Sequence, residues 1–250
     1  MRRGKMIAAV LTVCAVGAGM TVNAYAASTT FEMRKKTVRL LGILSTSNYQ
    51  TNVSRGEFAE LLVKASNYRE TANSTGTVSV FADVSAKSLY SSAIRTAATN
   101  SWMSGYLGGN NKTDERYTIR EAIKAVMGVI GYTNEDFSGS LQESRLEKFK
   151  SLSLDSGIYR DLDEVLTWED CINLFYNLMK AKTKEGNQYG SKIFDLTYNS
   201  DGEINTSSIL DNSLKGPKIL DNDSRNLKSL VPFSLKDATM FLNGEVSDES

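Results

Sequence analysis

Residues 117–130 read YTIREAIKAVMGVI and predict an amphipathic helix with a clear start. Thr118 is a favourable N-cap, and Glu121 follows three residues later, which is the spacing of a capping box. The apolar residues then recur every three or four positions, which places them on one face of the helix. That face consists of Ile119, Ile123, Val126, Met127 and Ile130.

Two further helix starts repeat this pattern. Ser54 is followed three residues later by Glu57, and Thr167 is followed at the same spacing by Asp170. Aspartate is shorter than glutamate, so we expect the third capping box to reach back less well than the others. Three capped helix starts in one chain predict an internal repeat with insertions of unequal length.

Another helix precedes the start at Thr118. Residues 91–103 carry their apolar side chains on one face, and residues 104–109 read SGYLGG, a turn rich in the glycine that commonly ends helices. The recurring unit is therefore a helix, a glycine-containing turn and a second, capped helix. We expect these helices to bury Phe58, Leu61, Ile94, Ala97, Ile123, Val126, Ile172 and Phe175.

The composition limits the classes of function. The chain has 250 residues and is 41% hydrophobic, enough for one sizeable core or two small ones. Its 29 basic and 29 acidic residues balance, so the chain resembles neither a disordered nor a nucleic-acid-binding protein. It contains no histidine, which excludes a Ser-His-Asp triad, a Cys-His dyad and a histidine-ligated zinc site. We expect no cofactor and no metal site.

Residues 1–26 have the pattern of a secretory signal peptide. A basic start precedes an apolar run over residues 6–20, and residues 24–26 read AYA, which suits signal peptidase. The run is shorter than the roughly 20 apolar residues of a membrane span. The sequence predicts a secreted mature chain with no span and, since Cys171 is the one cysteine left, no internal disulfide.

The helix starts resemble those of the S-layer homology (SLH) family of bacterial surface proteins. Residues 53–58, VSRGEF, resemble the family signature I-T-R-A-E-F, and residues 166–170, LTWED, resemble the signature of a third copy. Residues 81–122 contain FADV, AI, GY and YTIREA in the order of the family frame F-x-D-V, A-I, G-Y and signature. The resemblance covers roughly residues 31–182.

The resemblance implies a mainly α fold, in which three helix-turn-helix SLH-like repeats form one pseudo-threefold unit. We expect the repeats at residues 31–70, 78–132 and 134–182. Residues 183–250 are rich in Asn, Asp, Ser and Gly, with short apolar runs such as Ile193-Phe194, and predict a small β-rich segment. This segment resembles the start of a module that follows SLH repeats in some clostridial surface proteins.

The family resemblance also implies a function at the Gram-positive cell wall. SLH units attach proteins non-covalently by binding an anionic, often pyruvylated, secondary polysaccharide in grooves between repeats. Such a ligand needs a cation, helix N-terminal amides and a flat surface for a sugar ring. Only the first repeat keeps the signature arginine, as Arg55, which we expect to be exposed. By resemblance the candidate glycan-binding residues are Arg55, Glu57, Trp102, Gly105, Tyr106, Arg120 and Trp168.

Several of these residues have a structural alternative. Arg55 is able to form a surface ion pair with Glu57 or Glu60, which would leave it no role in binding. Trp102 lies on the apolar stripe of its helix, and packing in the core is the favoured interpretation. Trp168 occupies the signature arginine position of the third repeat, where packing is again favoured because an indole cannot pair with a carboxylate.

Three hypotheses for the whole protein remain open. The first is a wall anchor that binds polysaccharide, and the second is a drifted scaffold that assembles with other surface-layer proteins. The third is the anchor of a secreted enzyme whose catalytic domain lies beyond residue 250. The chain itself is expected to be no enzyme, because the candidate carboxylates Glu57, Glu121 and Glu169 lie at helix starts and are explained by capping.

Overall fold

The protein is mainly helical, as predicted. The computed structural model describes residues 30–44, 52–69, 80–106, 108–207 and 209. The signal-peptide prediction for residues 1–26 and the end of the predicted β-rich segment, residues 210–250, lie outside these ranges. The helices are α1 (Phe31–Leu40), α2 (Arg55–Lys64), α3 (Ser91–Thr99), α4 (Ile119–Val129), α5 (Leu141–Ser151), α6 (Trp168–Lys180) and α7 (Tyr189–Phe194).

All three predicted capping boxes are present at the starts of α2, α4 and α6. In the third box the Thr167 N–H donates to Asp170 Oδ2 over 2.9 Å. The Thr167 hydroxyl donates to the same oxygen over 2.7 Å. The expectation that aspartate would reach back less well is therefore wrong, because two donors of the N-cap residue hold its shorter side chain in place.

A ring of backbone hydrogen bonds joins the segments that precede these three helices. The Val53 N–H donates to the Leu166 carbonyl over 3.0 Å, Leu166 donates to Tyr117 over 2.8 Å, and Tyr117 donates back to Val53 over 2.9 Å. Isolated β-bridges flank these bonds between each pair of segments. The three helix starts are therefore fixed to one another around a common centre, although they are far apart in the sequence.

The core lies against this ring. Phe58 stacks on Tyr117 with ring centroids 4.4 Å apart, and it lies 5.7 Å from the ring of Phe175. One aromatic side chain from each of the three segments thus meets at the centre. The eight positions predicted to be buried are all confirmed, with exposed fractions of 4% or less: Phe58, Leu61, Ile94, Ala97, Ile123, Val126, Ile172 and Phe175.

Each helix that begins with a capping box packs on a helix that has none and that lies elsewhere in the chain. Helix α2 packs on α3, α4 packs on α5, and α6 packs on α1. The third pairing joins the first described helix to the last of the capped helices, so the arrangement closes on itself. In none of the three pairs do both helices come from the same predicted repeat, because each capped helix packs on a helix of the next repeat.

The turn after α3 differs from the prediction. The helix was expected to extend to Met103 and to end at glycine, but it ends at Thr99. Ser101 takes the left-handed conformation, with φ of 61°, and the Trp102 N–H donates back to the Ala97 carbonyl over 2.9 Å. This pattern is a Schellman-type helix end, which glycine favours but which serine occupies here.

The expected β-rich character of residues 183–250 is not seen in the part of this segment that the structure describes. Ile193 and Phe194, expected in a strand, lie in helix α7. Isolated bridges pair Lys182 with Gln188 and Tyr198 with Ile204. Helix α7 packs on α6, and the hydroxyl of Tyr189 donates to the carbonyl of Ala65 at the end of α2 over 2.8 Å. Packing on the helical unit thus overrides the local strand preference.

Candidate functional site

Arg55 is buried, not exposed as expected. It is the first residue of α2, and its side chain is 2% exposed because it extends under the turn of the next segment. Its Nε donates to the Asn111 carbonyl over 2.8 Å, and its Nη2 donates to the Ser104 carbonyl over 2.7 Å. Its Nη1 forms an ion pair with Glu121, the third residue of α4. The fork predicted to bind a ligand carboxylate therefore already binds a carboxylate of the protein.

Two tyrosine rings enclose this guanidinium. Its central carbon lies 4.7 Å from the ring centroid of Tyr106 and 5.3 Å from that of Tyr117, both within the range of cation–π attraction. Tyr117 is 2% exposed, while Tyr106 is 36% exposed and forms the outer wall. Arg55 thus joins the start of α2 to the start of α4 through a network of polar and aromatic contacts.

The amides at the start of α2 are also occupied. The Arg55 N–H donates to the Glu115 carbonyl over 2.8 Å, and the Gly56 N–H donates to the Thr113 carbonyl over 2.9 Å. The Glu57 N–H donates to the Ser54 hydroxyl over 3.2 Å. The expectation that these amides would help to bind an anion is therefore wrong, because protein oxygens satisfy them. Glu57 itself serves as a cap, with Oε2 accepting from the Ser54 N–H over 2.8 Å.

The two tryptophans are core residues, as the packing interpretation predicted. Trp102 is 8% exposed and meets Tyr68 edge to face at 5.8 Å between centroids. Gly128 lies against it, so that a Cβ there would come within 3.0 Å of the indole. Trp168 is 6% exposed at the start of α6. Neither residue offers a sugar-stacking platform, and both leave the set of candidate glycan contacts.

Arg120 lies on the surface and is paired within the protein. Its Nε and Nη2 donate to Asp163 Oδ1 over 2.9 Å and 2.6 Å. Its backbone N–H donates to the Leu162 carbonyl over 2.8 Å, and the neighbouring Ile119 N–H donates to the Glu164 carbonyl over 3.0 Å. These bonds repeat the arrangement at Arg55 and Gly56, so the first amides of α4 are occupied as well.

Gly105 and Tyr106 form the exposed part of the predicted site. Gly105 lies so close to Phe81 that a Cβ there would come within 2.4 Å of the ring, which explains the need for glycine. Lys112 Nζ lies 4.4 Å from the Tyr106 ring centroid. Burial and a hydrogen bond to the Glu115 carboxylate raise the pKa of Tyr106 to about 12. Its hydroxyl therefore remains protonated at physiological pH. We call residues 104–106 with Lys112 and Glu121 the Tyr106 groove.

Asp83 fixes the backbone at Asn111 and Lys112, beside the Tyr106 groove. Its Oδ1 accepts from the Asn111 N–H over 2.7 Å, and its Oδ2 accepts from the Lys112 N–H over 2.6 Å. Burial alone would raise the pKa of Asp83, but these N–H groups and the charge of Arg55 lower the pKa below its ordinary value of 3.8. The carboxylate thus fixes the backbone whose Asn111 carbonyl binds Arg55.

Replacing Asp83 with alanine is expected to lower the free energy of unfolding at neutral pH by about 1.5 kcal/mol. This is the low end of the range for a hydrogen bond to a charged group, because the side chain is exposed. The folded-state pKa is lowered, so this stabilisation is present above pH 3.8 and is lost as the pH falls through the folded-state value. The free energies of unfolding of wild type and Asp83→Ala, measured in urea, should therefore become equal in acid. A difference that stays constant with pH would contradict this role.

A second groove lies between α4, α5 and the loop before α6. It has a volume of about 420 Å³, with Ile119 and Ile123 in its floor and Tyr159 on its rim. Arg160 Nε contacts Asp170 Oδ2 at 2.6 Å. Asp170 is the third residue of α6, as Glu121 is the third residue of α4. Glu121 pairs with Arg55, the first residue of α2, whereas the first residue of α4 is the uncharged Ile119. Arg160 therefore supplies the cation for Asp170. Sequence comparison of the three helix starts missed it, since Arg160 precedes the third helix start by several residues.

No protein-family model matches the sequence, and no curated protein matches it either. Within the described ranges, no helix combines the length and the hydropathy that crossing a bilayer requires. Across those same ranges, His, Cys, Asp and Glu side chains form no group of three or more that is able to hold a metal ion.

Proposed function

We propose that the helical unit is a divergent SLH-like module that attaches the protein non-covalently to the bacterial cell wall by binding an anionic secondary polysaccharide. The observation that carries the proposal is the closed ring formed by Val53, Tyr117 and Leu166. It supports the interpretation of the three signature-like segments as equivalent copies around a pseudo-threefold centre. Grooves between neighbouring copies then follow from the same arrangement.

The Tyr106 groove is the proposed binding surface. Its exposed ring offers a flat face beside Lys112, a half-exposed cation 3.2 Å from Glu115. A sugar ring is expected to contact Tyr106 while an acidic substituent replaces Glu115 at Lys112. Arg55 has a different role from the one its signature position implies, since it positions Tyr106 and Glu121 from beneath.

A second candidate function is a scaffold that assembles with other surface proteins and binds no glycan. The occupied fork of Arg55 favours it, because the side chain with the strongest family resemblance is bound to Glu121 within the protein. The same fold would then persist for stability alone. The two candidates differ in one property, which is affinity for a wall that contains its secondary polymer.

Co-sedimentation with purified Gram-positive wall separates the two candidates. The protein is expected to sediment with wall that keeps its secondary polysaccharide and to remain in solution with wall from which that polymer has been extracted. Binding should weaken as salt rises, because exposed charges contribute to it. Equal sedimentation with both walls, or with neither, would exclude the proposed function.

Tyr106→Ala is expected to weaken wall binding by about 1–2 kcal/mol, a typical effect of truncating an aromatic contact residue. The matched control is Tyr159→Ala, which removes a 92% exposed ring from the second groove. In that groove the first residue of the capped helix is Ile119 and not an arginine. Binding isotherms on intact wall measure both variants. No loss in Tyr106→Ala would show that the Tyr106 groove does not contact the glycan, and equal losses in the two variants would contradict the assignment of binding to this groove alone.

A further inference from the structure

We infer that the cavity at the ends of α2 and α4 binds a small zwitterion, namely the ammonium and carboxylate groups of an α-amino acid. The cavity has a volume of about 120 Å³. It is lined by residues that follow α2, by residues at the end of α4, by the turn before α7 and by α7 itself. Pockets for drug-sized ligands have volumes of roughly 300–1,000 Å³, so this one suits only a small molecule.

Two side chains of opposite charge, Glu185 and Lys192, line this cavity. Both are exposed, Glu185 in the turn before α7 and Lys192 within α7. Among the residues that the structure describes, neither takes part in an ion pair. The neighbouring Lys184 pairs with Asp136 over 2.5 Å instead. An acid and a base thus line one cavity, and each has a charge to offer a ligand.

The Glu185 carboxylate lies at the C-terminal end of α4. A Cβ at Gly131, which follows the C-cap of that helix, would come within 3.4 Å of Glu185 Oε1. Interaction with the Thr183 hydroxyl and with the backbone of Glu185 lowers the pKa of this carboxyl group, and the charges of Lys192 and Lys184 lower it further. The group is therefore ionised at neutral pH. Because a helix C-terminus carries partial negative charge, this end of the cavity favours an ammonium group.

Aromatic side chains supply the apolar wall of the cavity. Trp102 is 8% exposed and Tyr189 is 3% exposed, and both line it together with Tyr68. The Tyr68 ring meets that of Trp102 edge to face, and the Tyr189 hydroxyl is bound to the Ala65 carbonyl. Aromatic rings attract an ammonium group and also pack against methyl groups. A wall fixed in this way lowers the entropic cost of binding.

A ligand with a single charge fits this cavity less well than a zwitterion. A simple amine would meet Glu185 but would also approach the ammonium of Lys192. A simple carboxylic acid would meet Lys192 but would approach the carboxylate of Glu185. An α-amino acid satisfies both residues, since its ammonium donates to Glu185 and its carboxylate accepts from Lys192. A short side chain, such as the methyl group of alanine, then contacts the aromatic wall.

The inference goes beyond wall attachment, because the cavity shares no residue with the Tyr106 groove. NMR titration of the protein with L-alanine and, separately, with D-alanine tests it. The indole N–H signal of Trp102 is expected to shift in a saturable way with at least one enantiomer, whereas that of Trp168, which does not line the cavity, should not. Ethylamine and propionate each lack one of the two charges. They should bind about tenfold or more weakly, the effect of losing a charged hydrogen bond.

Glu185→Gln and Lys192→Gln should each raise the dissociation constant for alanine about tenfold or more, for the same reason. Both side chains are exposed, so helix content should not change. The matched controls Glu143→Gln and Lys36→Gln remove the same charges from exposed positions outside the cavity and should bind as wild type does. Tyr106→Ala should also bind alanine normally.

Three results would overturn the inference. The first is the absence of a saturable shift with either enantiomer of alanine. The second is an affinity for ethylamine or propionate that equals the affinity for alanine, which would mean that one charge suffices. The third is unchanged alanine binding in Glu185→Gln or in Lys192→Gln.

Discussion

Arg55→Ala is expected to lower the free energy of unfolding by about 3–5 kcal/mol, the range for removing one partner of a buried ion pair. Its loss would leave the Ser104 and Asn111 carbonyls without this donor and the Glu121 carboxylate without its cationic partner. The Tyr117 ring would also lose the cation beside it. Urea unfolding monitored by circular dichroism measures the effect.

The control for this prediction is Arg120→Ala. Arg120 forms an exposed pair with Asp163, so its removal should cost only about 0–1 kcal/mol. Arg55→Lys should fall between wild type and Arg55→Ala, because an ammonium keeps the charge but is unable to donate to three separated acceptors. Equal stability of Arg55→Ala and Arg120→Ala would mean that the Arg55 network contributes nothing to the fold.

Phe175→Ala is expected to lower the free energy of unfolding by about 3–5 kcal/mol as well, the range for a large-to-small change in a packed core. Phe175 is 1% exposed, and its ring centroid lies 5.7 Å from that of Phe58. Both side chains lie at the centre of the three hydrogen-bonded segments. The cavity would open where the three segments meet, so little relaxation is expected. The same unfolding measurement applies.

Two comparisons make the Phe175 result specific. Tyr159→Ala removes a ring of similar size that is 92% exposed, and its effect should be near zero. Phe175→Leu keeps most of the buried volume and should cost clearly less than the alanine variant. A loss in Phe175→Ala as small as that in Tyr159→Ala would place Phe175 outside the core.

The local features of this fold were predictable and the long-range ones were not. The capping boxes at Ser54, Thr118 and Thr167 depend on residues three positions apart, and the buried helix faces depend on helical periodicity. A short stretch of sequence is therefore enough to predict both. The ring bonds join residues such as Val53 and Leu166, whose pairing no local pattern indicates. Helix α7 was missed for a related reason, since its packing on α6 decides its structure.

The candidate site shows the same division. The motif draws attention to Arg55, but the burial of this side chain depends on the turn that contains Ser104 and Asn111, which lie 49 and 56 residues further along the chain. An arginine at a helix start looks exposed unless the element that covers it is known. Removal of Arg55 is expected to damage the fold and would therefore lower wall binding even if the side chain touches no glycan. Tyr106, which is partly exposed, is the better probe of the groove.

The most direct test of wall attachment compares one purified wall before and after chemical removal of its pyruvyl groups. Wild-type protein is expected to bind the intact wall with an affinity that falls as salt rises, and to lose most of that binding when the acidic groups are gone. Helix content measured in parallel shows that the protein remains folded throughout. Undiminished binding to the depyruvylated wall, or no binding to the intact one, would contradict recognition of an anionic polysaccharide and would favour the scaffold function.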